Sequence, residues 1–95
     1  MWDLLQAVQL APFAAVLCCE LEGLGHVGPH RQQEHPELVI CLEGSGIATV
    51  GGRCLTMEPG SIAALAFGEV LEIKNSTKEP LRYLIVKANT APPAA

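Results

Sequence analysis

Residues 47–57, Ile-Ala-Thr-Val-Gly-Gly-Arg-Cys-Leu-Thr-Met, contain two adjacent glycines between two short runs rich in apolar residues. Both central positions of a tight two-residue β-hairpin turn need a positive φ, which glycine adopts without steric cost. The stretch therefore predicts a β-hairpin whose strands are residues 47–50 and 53–57, with Gly51 and Gly52 in the turn.

Short apolar runs separated by Gly, Pro, Asn and Ser continue on both sides of this hairpin. Turn signals spaced about 8–12 residues apart are typical of an all-β sandwich or barrel. Helical spacing of apolar residues is confined to residues 1–10, where it predicts one or two turns of helix, and residues 28–36 are predicted to form a polar loop. The predicted strands are residues 13–21, 38–42, 47–50, 53–57, 62–67, 70–73 and 81–87.

Length and composition define the class of protein. A chain of 95 residues, 49% hydrophobic and 17% charged, has room for one small folded domain. We expect this single domain to cover residues 1–95, with a core over about 13–88 and a flexible tail over 89–95. The net charge of -4 and the aromatic content of 4% exclude the basic or stacking surfaces that bind nucleic acid.

No targeting or membrane segment is predicted. The first basic residue is Arg31, and the apolar stretch over residues 10–19 is interrupted by Pro12 and is about half as long as a membrane span. We therefore expect a cytoplasmic protein. The four cysteines include no Cys-x-x-Cys pair, so we predict buried thiols rather than a zinc site.

Potential metal ligands are concentrated between residues 26 and 37. His30 and Gln32 alternate, so they would share one face of a strand, and Glu37 begins the next predicted strand. His26 and His35 lie nearby in the sequence. Imidazole and carboxylate groups are good ligands for divalent Mn, Fe, Ni or Zn.

The spacing of these residues resembles the first of the two cupin motifs. That motif has two histidines one residue apart, then a glutamate, then a glycine after six more residues, and it falls here on His30, Gln32, Glu37 and Gly44. The second cupin motif has glycine, proline, glycine, histidine and asparagine at fixed spacing. It falls without insertion on Gly60, Ala66, Gly68, Leu71 and Asn75, and the resemblance extends over about residues 24–88.

The cupin resemblance implies a small jelly-roll barrel of two facing antiparallel sheets. It also implies a metal site at His30, Gln32, Glu37 and Leu71, of which only His30 and Glu37 keep the usual residue type. Gln32 offers a weak carbonyl ligand, and the side chain of Leu71 has no donor atom. We therefore predict weak or lost metal binding and no cofactor. A divalent metal held by His30, Gln32 and Glu37 is the alternative.

Strand alternation predicts which residues face the barrel interior. Glu37, Val39 and Cys41 would share the inward face of one strand. The predicted pocket is apolar with a polar rim that includes His30 and Gln32, and it suits a small organic ligand with one polar end. Cys41 is the candidate nucleophile of this pocket, but no residue can be assigned as its base. Tyr83 is predicted to be half-buried. The other predicted inward residues are Ala63, Leu65, Leu71 and Ile73.

Three functions stay open at this point. The first is a module that binds a small molecule, with weak or lost metal binding. The second is a metal-dependent dioxygenase, isomerase or lyase that uses His30, Gln32 and Glu37. The third is a metal-free isomerase or epimerase with His30 as base, held by Glu37. We also predict a homodimer, because the apolar segment 10–17 would leave an unpaired sheet edge in a monomer.

Overall fold

The computed structural model describes residues 2–3, 13–31, 36–66 and 68–88. These residues form two antiparallel sheets, which confirms the predicted all-β barrel. The larger sheet has the strand order β1-β2-β9-β4-β7, and the smaller has the order β3-β8-β5-β6. The strands are β1 (Trp2–Asp3), β2 (Phe13–Leu21), β3 (His26–Arg31), β4 (Glu37–Glu43), β5 (Gly46–Val50), β6 (Arg53–Met57), β7 (Ile62–Leu65), β8 (Val70–Lys74) and β9 (Leu81–Ala88).

The predicted glycine hairpin is present between β5 and β6. Gly51 has a φ of 55° and Gly52 a φ of 82°, both in the left-handed region. Val50 pairs with Arg53 across the turn, and the register continues to Gly46 and Met57. The two glycines thus set the register between β5 and β6.

Two predictions about the first half of the chain are corrected. Residues 28–31, which were predicted to begin a polar loop, belong to strand β3 (His26–Arg31). Pro29 is accommodated because β3 is an edge strand whose register shifts between Val27 and His30. A helix was predicted over residues 1–10, but Trp2 and Asp3 form a short edge strand that pairs with Cys18 and Leu17. This strand covers part of the edge of β2. Residues 4–12 lie outside the described residues.

The core lies between the two sheets and follows strand alternation. In β4 the inward side chains of Val39 and Cys41 are each 1% exposed, whereas Leu38 on the outer face is 41% exposed. The predicted inward positions on β7 and β8 are buried as well, namely Ala63, Leu65, Leu71 and Ile73. Period-two alternation therefore assigns the inward face of these three strands correctly.

One end of the barrel is closed by a buried polar corner around Asn75. The Asn75 side-chain nitrogen donates hydrogen bonds to the backbone oxygens of Leu21, Glu22 and Glu79, over 3.3, 3.1 and 2.7 Å. Its side-chain oxygen accepts from the backbone N–H and the hydroxyl of Thr77, over 3.0 and 2.8 Å. This set of hydrogen bonds ties the end of β2 to the turn between β8 and β9.

The glycine that ends the first motif has a steric role near this corner. Gly44 has a φ of 86°, and a Cβ at this position would collide with the backbone oxygen of Pro80. A glycine is therefore required where β4 passes close to the turn before β9. Among the residues that the structure describes, none belongs to a helix long and apolar enough to cross a lipid bilayer.

Candidate functional site

A cavity of about 320 Å³ lies between the two sheets. Its volume is near the lower end of the ~300–1,000 Å³ range of small-molecule pockets. Most of the side chains that line it are aliphatic, and they come from five strands of both sheets. The lining residues are Leu17, Cys19, Val27, Glu37, Leu71, Ile73, Tyr83, Ile85 and Lys87.

Strand β9 runs along the length of this cavity. Its lining residues Tyr83, Ile85 and Lys87 alternate with outward-facing ones. At about 3.3 Å per residue, Tyr83 and Lys87 are separated by roughly 13 Å along the strand. Cys19 pairs with Tyr83 in the register between β2 and β9, and Leu17 pairs with Ile85. The cavity therefore passes from Tyr83 through an aliphatic middle to Lys87.

The Lys87 end of the cavity holds a pair of opposite charges. Glu37 is 4% exposed and lies directly opposite Lys87 in the register between β4 and β9. Lys87 Nζ is 3.7 Å from Glu37 Oε2, and the Lys87 side chain is about one-third exposed. Because a buried carboxylate is costly without a compensating charge, this ion pair offsets part of the cost of burying Glu37.

The other end of the cavity carries two neutral polar groups. Burial raises the pKa of the Tyr83 hydroxyl to about 12 and also raises the pKa of the Cys19 thiol. The two residues are direct neighbours in the register between β2 and β9. Tyr83 is only 5% exposed, so the prediction that it would be half-buried was wrong. It pairs with Cys19 on one side and with Cys41 on the other, in the centre of the larger sheet.

The predicted site residues fall into three groups. Glu37, Leu71 and Ile73 line the cavity. Val39 and Cys41 are buried in the core but are not among the residues described as lining the cavity. The predicted rim residues fall outside the described side chains. His30 lies on β3 opposite Leu71 in the register, its side chain is outside the described part of the structure, and Gln32 and His35 belong to residues 32–35, which are not described.

Two candidate chemical groups lie away from the cavity. Cys41 Sγ is 3.8 Å from the backbone oxygen of Gly44, and burial raises the pKa of this thiol, which disfavours the reactive thiolate. His26 Nε2 is 2.9 Å from Glu72 Oε1, in a surface pair between β3 and β8. These contacts give Cys41 a packing role and His26 a role in pairing two strands.

The sequence analysis did not assign several lining residues to the pocket. They are Leu17, Cys19, Val27, Ile85 and Lys87, together with Tyr83. The signal that could have found most of them is the same alternation that located Val39 and Cys41. Applied to residues 13–21 and 81–87, it groups Leu17 with Cys19 and Tyr83 with Ile85 and Lys87. Alternation alone does not predict that β2 pairs with β9. That pairing is what brings both groups to the same cavity.

A divalent metal ion needs a set of donor atoms that the described part of the predicted site does not provide. The Leu71 side chain consists of carbon and is 1% exposed. Lys87 brings a positive charge to within 3.7 Å of Glu37 Oε2, where it would repel a metal cation. No group of three or more His, Cys, Asp and Glu side chains within the described ranges is placed to hold a metal ion. Of the predicted metal ligands, the described residues therefore contribute a single donor group, the carboxylate of Glu37.

Comparisons with known proteins agree with this architecture. The family model for the cupin domain matches residues 18–87. A predicted oxalate decarboxylase from Thermotoga maritima superposes with a TM-score of 0.77 at 22% identity, over 83% of this chain and 69% of that one. The cupin domain of Schizosaccharomyces pombe Cnp3 gives a TM-score of 0.81 at 19% identity, over 94% of this chain and 63% of that one.

A cupin protein from Bacteroides fragilis gives a TM-score of 0.81 at 18% identity, over 99% of this chain and 80% of that one. Identities this low support a shared fold and do not transfer a function. The comparison with curated proteins gave no match. The family model covers most of the chain, including both motif regions, and the chain belongs to the cupin family.

Proposed function

We propose that this cupin is a binding module that holds a small organic ligand in the cavity between its sheets. The observation that supports the proposal is an apolar cavity of about 320 Å³ with a charged pair, Glu37 and Lys87, at one end. Small-molecule sites have this form, because apolar walls supply most of the binding free energy and a few polar groups orient the ligand. The ligand would place its apolar part against Leu17, Ile85 and their neighbours.

The metal-dependent alternative is a dioxygenase, isomerase or lyase with a metal at His30, Gln32 and Glu37. Leu71, at the fourth ligand position of the family, and the ammonium of Lys87 beside Glu37 both favour the metal-free proposal. Plasma mass spectrometry on untagged protein purified without chelator separates the two. We expect well below one equivalent of Mn, Fe, Ni or Zn per chain, unchanged after soaking with each ion. A stoichiometric metal would contradict the proposal.

Ligand binding is tested by NMR on protein with labelled Leu, Ile and Val methyl groups. Titration with a set of small organic compounds should shift the methyl signals of Leu17, Ile73 and Ile85, which line the cavity. The signals of Leu38 and Ile62 should stay in place, because these side chains are 41% and 61% exposed on the outside of the larger sheet. Shifts confined to the outer residues would contradict the proposed site.

A cavity-filling variant provides the decisive control. Leu71→Phe places a larger side chain in the cavity wall and should reduce the affinity of any compound that binds there by about tenfold or more. Ile47→Phe is the matched variant, since it adds the same side chain at an exposed position of the smaller sheet and should leave the affinity unchanged. Equal affinity in the two variants would place the binding site elsewhere.

The predicted homodimer and cytoplasmic location stay predictions. If two chains associate, the surface that would lose most exposed apolar area is the outer face of the larger sheet, with Phe13, Leu38 and Ile62. Light scattering coupled to size-exclusion chromatography would give the mass of the particle in solution. We expect twice the chain mass of 10.1 kDa.

A further inference from the structure

We propose that the inner end of the cavity, at Tyr83 and Cys19, binds an uncharged carbonyl group. The ligand is then an apolar carbonyl compound, such as a ketone or an ester, whose oxygen accepts a hydrogen bond from the Tyr83 hydroxyl. The inference rests on the proposed function and names the ligand class for the same cavity. It starts from Tyr83, because this residue brings the only phenol of the chain to the wall of a ligand-sized cavity.

The sheet fixes the position of Tyr83 at the cavity wall. On β9 it lies between Cys19 of β2 and Cys41 of β4 in the register, and its neighbour Arg82 alternates to the exposed outer face. Tyr83 is 5% exposed and yet lines the cavity. A molecule inside the cavity therefore contacts this side chain, whereas bulk solvent hardly does.

The Tyr83 hydroxyl is able to donate a hydrogen bond to a ligand. Within the ranges that the structure describes, no oxygen or nitrogen atom of the protein accepts a hydrogen bond from it. Its neighbour in the register is Cys19, whose thiol is a weak acceptor. A buried phenol without a strong protein acceptor can make its full hydrogen bond only to a molecule inside the cavity.

The surroundings of Tyr83 favour an uncharged acceptor over an anionic one. The next inward side chain along β9 is Ile85, and the one opposite it on β2 is Leu17, so both are aliphatic. Burial raises the pKa of the Tyr83 hydroxyl to about 12 and also raises the pKa of the Cys19 thiol. Both shifts show that a negative charge is disfavoured at this end. A carbonyl oxygen accepts the hydrogen bond without bringing such a charge.

The rest of the inner cavity determines the body of the ligand. Its walls are formed by aliphatic side chains of both sheets, among them Leu17, Val27, Ile73 and Ile85. The volume of about 320 Å³ is near the lower end of the ~300–1,000 Å³ range of small-molecule pockets. A compact body, such as one ring or a short branched chain, therefore suits this space.

The test uses compounds of one shape that differ in the head group. They are acetophenone (ketone), α-methylstyrene (hydrocarbon), benzoate (anion) and benzamidine (cation), and their cyclohexyl analogues form a second series. Affinities are measured on the full chain by NMR titration of the labelled methyl groups, which also locates each compound. In whichever series binds more tightly, we expect the ketone to bind at least about tenfold more tightly than the two charged compounds.

The role of Tyr83 is tested by one variant with two ligands. Tyr83→Phe removes the hydroxyl and keeps the ring, so it should weaken the ketone about five- to tenfold and leave the hydrocarbon unchanged. The hydrocarbon corrects for any change in the shape of the cavity, since both compounds fill the same space. Thr49→Val is the matched control. It removes a hydroxyl that contacts Cys54 on the outer face of the smaller sheet, and it should change neither affinity.

A second measurement does not depend on the folding of a variant. The infrared carbonyl stretch of the carbon-13-labelled ketone should lie at a lower frequency in the wild-type complex than in an apolar solvent, because a hydrogen bond weakens the C=O bond. In the Tyr83→Phe complex it should return towards the value in the apolar solvent. A change in packing alone would not produce this shift.

The outcomes separate the inference from the proposed function. If the compounds shift the cavity methyl signals but Tyr83→Phe weakens ketone and hydrocarbon equally, the inference is overturned and the binding module stands. The same conclusion follows if the bound carbonyl stretch matches that in the apolar solvent, or if benzoate or benzamidine binds more tightly than the ketone. If no compound of either series binds, both are overturned.

Discussion

Asn75 and Glu37 are two buried polar side chains at opposite ends of the same barrel, and their surroundings differ. Asn75 is 1% exposed and uses both ends of its amide in hydrogen bonds to the chain, with partners before β3 and after β8. Glu37 is 4% exposed, but it borders an open cavity and has an ammonium 3.7 Å away. One group is enclosed by its own backbone, and the other faces space that a ligand can fill.

This difference suggests separate roles for the two motif residues: a structural role for Asn75 and, under the proposed function, a binding role for Glu37. Both residues belong to the cupin spacing, and burial alone would place them in the same class. The side chain of Asn75 forms its hydrogen bonds within the chain, to backbone groups of two loops, and these bonds stabilise the closed end of the barrel. Glu37 lies at the wall of a cavity lined by Leu71 and Ile85, where the proposed function gives its charge a place in ligand binding. Each prediction below tests one side of this contrast.

The largest expected effect is at the closed end. Asn75→Ala removes a side chain that satisfies three backbone oxygens and the N–H of Thr77. Because these groups are left without their partners, we expect the free energy of unfolding to fall by about 3 kcal/mol in urea titrations. Ser76→Ala, at the exposed neighbouring position, should cost less than about 0.5 kcal/mol. A loss of less than about 1 kcal/mol for Asn75→Ala would contradict a structural role.

The sequence predicted the turns of the barrel better than its cavity. Gly44 and Asn75 at the closed end, and Gly51 and Gly52 in the hairpin turn at the other end, are identified by turn chemistry and motif spacing, which are local properties of the chain. The strand β3 was missed for a tertiary reason. Its Gly28-Pro29 pair is typical of a loop, and only its place at the edge of a sheet makes a strand with a register shift possible there.

The cavity was only half predicted for the same kind of reason. Glu37, Leu71 and Ile73 follow from alternation and from the motifs. Lys87 does not, because nothing local indicates that a charged residue near the end of the last strand lies opposite Glu37. That pairing joins residues 50 positions apart and is set by the strand order of the larger sheet.

The second prediction concerns the inner end of the cavity and uses the only tyrosine of the chain. The pKa of Tyr83 is raised from 10 to about 12, so the folded state holds this proton more tightly than the unfolded state. Stability is therefore fully present below pH 10 and falls as the pH rises from 10 to 12. We expect a loss of about 2 kcal/mol over this range in urea titrations, since each pKa unit corresponds to about 1.4 kcal/mol.

The control for this prediction is Tyr83→Phe, which should remove most of the alkaline loss. With a single tyrosine, the ultraviolet absorbance of tyrosinate reports the titration of Tyr83 alone. A midpoint near pH 10 in the folded protein would show that the hydroxyl is hydrated, and the neutral, closed inner end of the cavity would then be wrong.

The smallest expected effect is at the charged end. Lys87→Met removes the cation next to Glu37 and should lower the free energy of unfolding by about 1 kcal/mol at pH 7. This lies between the values for exposed and fully buried pairs, because Lys87 is one-third exposed whereas the Glu37 side chain is 1% exposed. Adding Glu37→Gln to Lys87→Met should recover part of that loss, because the buried carboxylate charge is then removed together with its cation. Lys78→Met, at an exposed position in the turn before β9, is the matched control and should be close to neutral.

If Lys87→Met were as costly as Asn75→Ala, the pair would be a structural support like the Asn75 corner, and the contrast between the two ends would fail. A small, recoverable cost is what a charged pair retained for ligand binding should have, because its two groups are balanced without being enclosed.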